Sequence, residues 1–176
     1  MIKKKYTFFS VSNTISIFRG LLSIPIFLSL KNNFIIFSLL LVIIAIISDW
    51  LDGFVARILK EKSELGKILD PLCDFFVVSS IILFLLIDED KNFPFWFLIF
   101  YLIRQITISL SFFYSLRKFN RYNGSNVFGK WTIFLISIAL FLYIINYINY
   151  GYYFLSASIF FATISWFYYI KNNLRQ

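Results

Sequence analysis

Histidine is missing from the 176-residue chain, and cysteine occurs only once, as Cys73. Without histidine, the chain lacks the usual general base at neutral pH and the commonest transition-metal ligand. A single cysteine cannot form an internal disulfide, so the chain is not a disulfide-stapled secreted scaffold. Any chemistry must therefore come from carboxylates, amines, guanidinium groups and hydroxyls.

Charged residues are also scarce, at 15% of the chain, whereas hydrophobic residues make up 60% and aromatic residues 22%. This composition excludes a soluble enzyme, which needs more polar surface, and a disordered tail, which needs few apolar residues. It predicts an integral membrane protein. The net charge of +8 then indicates contact with anionic lipid headgroups, and nucleic acid is not expected as a partner.

Long apolar runs predict six transmembrane helices, because one span needs about 20 mainly apolar residues. The runs do not alternate, which favours an all-α fold over a β-barrel. We expect one transmembrane domain over residues 1–176, preceded by a basic juxtamembrane segment at 1–10 that is not a cleaved signal peptide. The predicted spans are 11–30, 34–56, 68–87, 93–116, 128–146 and 152–170.

The basic residues are distributed very unevenly between the two predicted membrane faces. Thirteen of the 17 Lys and Arg residues fall on one face, whereas the other face has only Lys31 and Lys91. Arg19 and Arg104 lie inside spans. The positive-inside rule therefore predicts that both termini are cytoplasmic. Enrichment in Phe, Ile, Asn, Lys and Tyr is typical of an AT-rich genome and favours a bacterial source. The predicted location is therefore the bacterial cytoplasmic membrane.

Four of the nine acidic residues lie at the ends of the second and third spans: Asp49, Asp52, Asp70 and Asp74. An Asp inside a span costs about 2.5–3.5 kcal/mol on insertion scales, so four of them call for a positive partner. Each pair shares a helix face, and the short connection predicts neighbouring antiparallel spans. One pair alone would be compatible with simple solvation at a helix end. Two converging pairs predict a cage for two divalent cations, Mg²⁺ or Mn²⁺.

Small residues follow the same helix faces as the carboxylates. Gly53 and Ala56 lie after Asp49, and Gly66 lies one turn before Asp70. Small side chains allow a second helix or a flat ligand to approach closely. Arg57 follows at the predicted helix end, where a guanidinium is suited to bind a phosphate.

The segment Asp49-Trp50-Leu51-Asp52-Gly53-Phe54-Val55-Ala56-Arg57, followed after eight residues by Gly66-Lys67-Ile68-Leu69-Asp70-Pro71-Leu72-Cys73-Asp74, resembles the signature of the CDP-alcohol phosphotransferases. That signature is D-x-x-D-G-x-x-A-R, then G-x-x-x-D-x-x-x-D, and all eight fixed positions match. The resemblance implies a homodimer of six-helix subunits with an active site open to the cytoplasm.

The resemblance also implies a role for each motif residue. The four Asp residues would bind two divalent cations, and Asp74 would also act as the general base on the acceptor hydroxyl. The CDP pocket would be formed by Asp52, Gly53, Ala56, Arg57 and Gly66. The implied reaction transfers a phosphatidyl group from CDP-diacylglycerol to an alcohol and releases CMP.

Three further segments are similar to bacterial phosphatidylglycerophosphate synthases, whose acceptor is glycerol 3-phosphate. These are Asn13-Thr14-Ile15-Ser16-Ile17-Phe18-Arg19, Leu69-Asp70-Pro71, and Arg104 together with Gly129-Lys130. Arg104 and Lys130 are therefore candidates for binding the acceptor phosphate. The chain departs from that subgroup's charged positions at Phe75, Gln105, Phe112 and Thr132. Inositol phosphate, serine and phosphatidylglycerol stay open as alternative acceptors.

Simpler interpretations also exist for the isolated basic residues. Arg19 is near enough to the interface to extend its side chain to the headgroups, Arg104 would form a structural pair with a carbonyl or an Asp, and Lys130 would anchor a span. A different class of function, a small divalent-cation channel or carrier, would use the four Asp residues as a pore site. The absence of a second acidic layer at the other membrane face disfavours that interpretation.

Overall fold

The computed structural model describes residues 11–58, 66–119 and 127–174, and these residues form seven α-helices and one 3₁₀ turn. The helices are α1 (Val11–Leu21), α2 (Ser23–Lys31), α3 (Ile35–Ile58), α4 (Gly66–Ile87), α5 (Phe95–Phe119), α6 (Val127–Ile144) and α7 (Ile148–Leu174), with the 3₁₀ turn at Glu89–Lys91 between α4 and α5.

The first predicted span is divided into α1 and α2 at Leu22. Pro25, in the first turn of α2, has no N–H and cannot donate to the carbonyl of Leu21, which weakens the helix there. The break is small, since the Leu22 N–H still donates to Phe18 O and Arg19 O, at 3.1 Å each. Residues Val11–Lys31 therefore remain one 21-residue candidate span.

The described chain divides into two compact units, with the boundary between Ile87 and Asp88. In the first unit, α1 and α2 each pack against both α3 and α4. The second and third predicted spans were expected to be direct neighbours. Instead, the principal contacts of α3 and α4 in the described residues are with the α1–α2 segment. The polar face of α1 is consequently next to the ends of both helices that carry the Asp pairs.

A glycine permits the close packing of α1 against α4. A Cβ atom added at Gly20 would lie 3.0 Å from the Sγ atom of the buried Cys73. Such a separation is shorter than ordinary van der Waals contact, so a larger residue would push the two helices apart. Gly20 therefore fixes how closely α1 approaches the helix that carries Asp70 and Asp74.

In the second unit, α7 packs against α6 and α5. A Cβ at Gly151 would lie 2.7 Å from the Tyr143 ring, so the glycine allows α6 and α7 to approach closely. Lys91, which is only 6% exposed, donates to Ile144 O at 3.1 Å and to the Asn146 side chain. This lysine, counted from sequence only as a charge on one membrane face, thus satisfies the carbonyl end of α6.

Asparagine fills the left-handed positions that glycine usually fills at helix ends. Asn33 after α2 has φ of 59°, and Asn146 after α6 has φ of 67°. The next residues complete Schellman-type bonds, from Phe34 N to Ser29 O and from Tyr147 N to Leu142 O, both 2.9 Å. Asparagine tolerates this conformation better than other non-glycine residues, so a glycine-poor chain still turns sharply.

The described helices confirm the all-α membrane fold. Five stretches are long and apolar enough to cross a membrane: Val11–Lys31, Ile35–Val55, Leu69–Ile87, Val127–Ile144 and Ile148–Lys171. The predicted span at 93–116 corresponds to α5, whose apolar part, Phe95–Ser111, is shorter than these five. Many large apolar side chains face outward, Ile36 at 79% and Phe160 at 64% exposed, as a lipid-facing surface requires. The count of six spans, the single domain and the cytoplasmic termini stay predictions.

Candidate active site

A buried polar stripe runs along one face of α1. Ser12 and Asn13 are adjacent, Ser16 lies three or four residues after them, and Arg19 lies three residues after Ser16, so the helical repeat aligns them. Their exposed fractions are 8%, 1%, 0% and 2%. A polar face that is turned inward within an apolar helix needs polar partners, and α3 and α4 supply them.

Arg19 lies among three of the four predicted aspartates. Its Nη1 atom pairs closely with Asp49 Oδ1, its Nη2 atom is 3.2 Å from Asp52 Oδ2, and its Nε atom is 3.2 Å from Asp74 Oδ1. The guanidinium thereby links the acids of α3 to an acid of α4. This arrangement is consistent with the prediction that the two Asp pairs lie close together. It is not consistent with an Arg19 side chain that extends to the lipid headgroups.

Ser16 joins the remaining carboxylate to the group. Its Oγ atom is 2.6 Å from Asp70 Oδ1 and 3.1 Å from Asp52 Oδ2, and it is also 3.1 Å from the Ser12 carbonyl. A hydroxyl has one proton to donate, so it can satisfy only one of these three acceptors at a time. The short distance to Asp70 favours that bond, and the Asp52 oxygen then needs another positive partner.

The four carboxylates differ in how far this chain covers them. The Asp52 side chain is 5% exposed and Asp70 is half-buried, whereas Asp49 and Asp74 have side chains that are 57% and 51% exposed. The two inner carboxylates, Asp52 of α3 and Asp70 of α4, thus pack against the polar face of α1. The outer two remain open to an approaching ligand.

The donor set fits hard divalent cations in type and in charge. Four carboxylates are grouped around Arg19 and Ser16, and the single guanidinium leaves three negative charges without a counter-charge when all four are ionised. Carboxylate oxygen is the ligand that Mg²⁺ and Mn²⁺ prefer. Within the part of the chain that the structure describes, however, no three acidic or thiol side chains are grouped as a ready metal site. The Arg19 side chain lies between them instead.

The predicted CDP-pocket residues are described only in part. Gly53 lies on α3 one residue after Asp52, and a Cβ added there would meet nothing within 4 Å, so this face is open. Gly66 is the first residue of α4. Ala56 and Arg57 are helical, but their side chains lie outside the described residues.

The two candidates for the acceptor phosphate belong to the second unit. Arg104, on α5, is 7% exposed, and its Nε atom has no hydrogen-bond partner among the described residues. Lys130 is exposed in the first turn of α6. Thr132, where the similar subgroup has lysine, is fully buried and donates to Phe128 O at 2.8 Å, so it belongs to the core of this unit.

Sequence reasoning missed the roles of Ser16 and Arg19 in the acid group. The signal was present, because polar residues three apart inside an apolar run mark one inward helix face. Arg19 was the only basic residue in that stretch, and no acid in its own helix could pair with it. A partner on another helix was therefore required.

Comparison with known proteins assigns the chain to a family. The family model for CDP-alcohol phosphatidyltransferases matches residues 9–167, which includes every helix described above in whole or in large part. The matched region contains all four aspartates as well as Ser16 and Arg19. No solved structure matches the chain.

Several curated relatives are named CDP-diacylglycerol–glycerol-3-phosphate 3-phosphatidyltransferase. The Aquifex aeolicus protein is 35% identical over 136 residues, covering 74% of this chain and 73% of that protein. The Mycoplasma genitalium protein is 29% identical, covering 69% of this chain and 58% of that protein. The Wigglesworthia glossinidia protein is 32% identical, covering 66% of this chain and 63% of that protein.

Proposed function

The chain belongs to the CDP-alcohol phosphatidyltransferase family, and on that premise we propose that it transfers the phosphatidyl group of CDP-diacylglycerol to glycerol 3-phosphate. CMP and phosphatidylglycerophosphate are the products. The relatives' names support this acceptor, as do the Asn13 to Arg19 segment and the Arg104 and Gly129-Lys130 positions noted in the sequence. Inositol phosphate, serine and phosphatidylglycerol are the alternative acceptors.

The observation that carries the proposal is the gathering of the aspartates of two helices around the polar face of α1. Arg19 and Ser16 together contact all four signature carboxylates. A concentration of negative charge at this place is suited to binding cations. A cation channel would need further acidic residues along a path. In the second unit, the only described acidic residues are Asp88, Glu89 and Asp90.

The family is generally dependent on divalent cations. We propose that Asp49, Asp52, Asp70 and Asp74 hold two such ions, Mg²⁺ or Mn²⁺. When bound, the ions neutralise the donor's diphosphate and stabilise the departing CMP. Gly53 leaves open space beside these carboxylates, and together with Asp52, Ala56, Arg57 and Gly66 it would form the CDP pocket.

Asp74 is proposed as the general base. Its carboxylate takes the proton of the acceptor hydroxyl as that oxygen forms a bond to the phosphorus of the phosphatidyl group, and the bond from this phosphorus to CMP breaks. Half of the Asp74 side chain is exposed, so an acceptor can reach it.

Arg104 and Lys130 are proposed to bind the phosphate of glycerol 3-phosphate. A buried arginine in an apolar helix is functional by default, and the unpaired Arg104 Nε atom has a donor to spare. Lys130 adds a charge at the amino-terminal end of α6, where the helix dipole also favours an anion. The enzyme is further proposed to act as a homodimer in a bacterial cytoplasmic membrane, with this site facing the cytoplasm.

An acceptor screen tests the proposal. Detergent-purified protein is incubated with labelled CDP-diacylglycerol and Mg²⁺, and the lipid products are identified with glycerol 3-phosphate, inositol phosphate, serine or phosphatidylglycerol as the acceptor. We expect a new lipid with glycerol 3-phosphate only. Arg104→Gln should raise KM for glycerol 3-phosphate more than for CDP-diacylglycerol. Product formation with a different acceptor alone would contradict the assigned substrate but not the family.

A further inference from the structure

Arg19 is the one described cation in contact with the acid group, and its position is unusual. The side chain is 2% exposed, and it faces carboxylates from α3 and α4 together. Removing it would leave four closely grouped carboxylates, of which Asp52 is 5% exposed and Asp70 is half-buried, with no opposing charge. Partly buried like charges that lack a counter-charge are strongly unfavourable, so the group is most stable with a cation in place.

The bonds that hold Arg19 are poorly fitted. A guanidinium binds a carboxylate best in a planar, two-bond arrangement. Here the Nε and Nη2 atoms are 3.2 Å from Asp74 and Asp52 but form no hydrogen bond with them. Arg19 contacts three acids without an ideal two-bond arrangement with any of them, so electrostatic attraction contributes more to its binding than hydrogen-bond geometry does. A cation that fits carboxylate oxygens better can therefore take its place.

The location of Arg19 also explains why the described carboxylates are not arranged as a ready metal site. The carboxylates are of the right type and number for divalent ions, yet none of the described residues forms a ready metal site. The guanidinium occupies the point toward which Asp49, Asp52 and Asp74 are directed. Entry of a divalent ion at that point requires the guanidinium to leave it.

We propose that Arg19 is a resident counter-cation that competes with the divalent ions for the four aspartates. In the metal-free protein it neutralises part of the acid group and holds α1, α3 and α4 together. When a divalent ion binds, Arg19 gives up its carboxylates, and this exchange lowers the affinity of the site for metal. Arg19 is thus a positioning residue, and its role rests on the metal dependence proposed above.

The test compares Mn²⁺ binding in detergent-solubilised variants, measured by the electron paramagnetic resonance signal of free Mn²⁺, together with thermal unfolding with and without Mn²⁺. Arg19→Gln removes the charge, and Arg19→Lys keeps it but cannot span three acids. Lys91→Gln is the matched control, since Lys91 is a buried cation whose partners are a carbonyl and an amide oxygen.

Arg19→Gln should bind the first Mn²⁺ about tenfold more tightly or better, because one like charge within a few ångströms of the ion has been removed. Without metal it should unfold at a lower temperature than the wild type, and Mn²⁺ should restore more stability to it. The Mn²⁺ affinity and the metal-free stability of Arg19→Lys should lie between those of the wild type and Arg19→Gln. Lys91→Gln should lose stability but keep the wild-type Mn²⁺ affinity and the wild-type gain on adding Mn²⁺.

Three results would overturn the inference. Equal or weaker Mn²⁺ binding by Arg19→Gln would mean that the arginine supports the metal ligands and does not compete with the ion. An Arg19→Gln protein that lacks native helix content and stays unfolded with Mn²⁺ present would mean that no cation replaces the guanidinium. Absence of Mn²⁺ binding in wild type and variant alike would remove the proposed metal site itself, and the inference with it.

Discussion

At the scale of single residues, the four aspartates are distinguished by their partners. Asp70 contacts Ser16, Asp52 contacts both Ser16 and Arg19, and Asp49 and Asp74 contact Arg19 and remain half exposed. Removing any one carboxylate changes the charge of the group, but only the outer two are open to an incoming substrate. The proposed ligand and base roles should therefore separate when the residues are changed individually.

Asp49→Asn and Asp74→Asn should both reduce turnover, for different reasons. Asp49→Asn removes one ligand charge, so activity should return in part at high Mn²⁺. Asp74→Asn removes the proton acceptor, so about 10²-fold or more of the rate should be lost at every Mn²⁺ concentration. Turnover and CDP affinity are measured together across a Mn²⁺ series. Full rescue of Asp74→Asn by metal would mean that Asp74 is a ligand without a base role.

Ser16→Ala should destabilise the first unit. It deletes a buried hydroxyl between two carboxylates, and a hydrogen bond to a charged group contributes about 1.5–3 kcal/mol. Ser16→Thr keeps the hydroxyl and should retain most of the stability. Ser29→Ala is the control, because the Ser29 hydroxyl is buried but bonds only its own helix at Ile26 O. Denaturation of the purified proteins measures the difference, and equal losses for Ser16→Ala and Ser29→Ala would contradict the bridging role.

The sequence was sufficient to predict the four aspartates but not their organisation. Carboxylates in an apolar run stand out by their cost alone, wherever the neighbouring helices lie. Pairing with Arg19 and Ser16 depends on which helix packs between α3 and α4. That choice is made by contacts such as Gly20 against Cys73, which involve residues far apart in the chain.

At the scale of helices, α1 organises the site, and its fit depends on small residues. Apolar periodicity and length locate each helix to within a few residues, since those properties are local. The break at Leu22 and the capping of α6 by Lys91 were not predicted. The break depends on Pro25, which lies in the first turn of α2. The capping depends on a lysine whose side chain reaches the end of another helix.

Gly20→Val should force α1 away from α4 and lower stability by about 1–3 kcal/mol, the usual cost of overpacking. Adding Cys73→Ala removes the Sγ atom that the new side chain would meet, so the double variant should recover part of the loss. Gly53→Val is the matched control for folding, because the space around Gly53 is open. It should fold normally while losing CDP affinity, since the new side chain enters the proposed pocket.

Thermal unfolding and CDP binding are measured on these variants in the same detergent. An undisturbed Gly20→Val protein would contradict the close packing of α1 on α4. Normal CDP binding by Gly53→Val would remove Gly53 from the proposed pocket while leaving the carboxylates untouched.

At the scale of the whole molecule, composition together with the long, non-alternating apolar runs was enough to predict a helical membrane protein. The outward-facing apolar side chains and five full-length apolar stretches agree with that prediction. The orientation depends on the distribution of basic residues between the two faces, which is a property of the loops and not of packing. It can therefore be tested without reference to the site.

Lys31→Cys and Lys171→Cys report on opposite predicted faces, and both lysines are exposed. In intact bacterial cells, a maleimide that cannot cross the membrane should label Lys31→Cys in preference to Lys171→Cys. Lysis should expose Lys171→Cys. The native Cys73 is buried and provides the background control. The reverse labelling order would place the carboxyl-terminal end outside the cell.

The central claim is that the acid group around α1 performs metal-dependent phosphatidyl transfer to glycerol 3-phosphate. The most direct measurement uses purified protein stripped of metal with a chelator, supplied with CDP-diacylglycerol and glycerol 3-phosphate, in which CMP and phosphatidylglycerophosphate are quantified together. We predict no product before Mg²⁺ or Mn²⁺ is added, and one CMP released for each phosphatidylglycerophosphate formed afterwards. Equal product formation with and without the metal, or CMP release without phosphatidylglycerophosphate, would contradict the account.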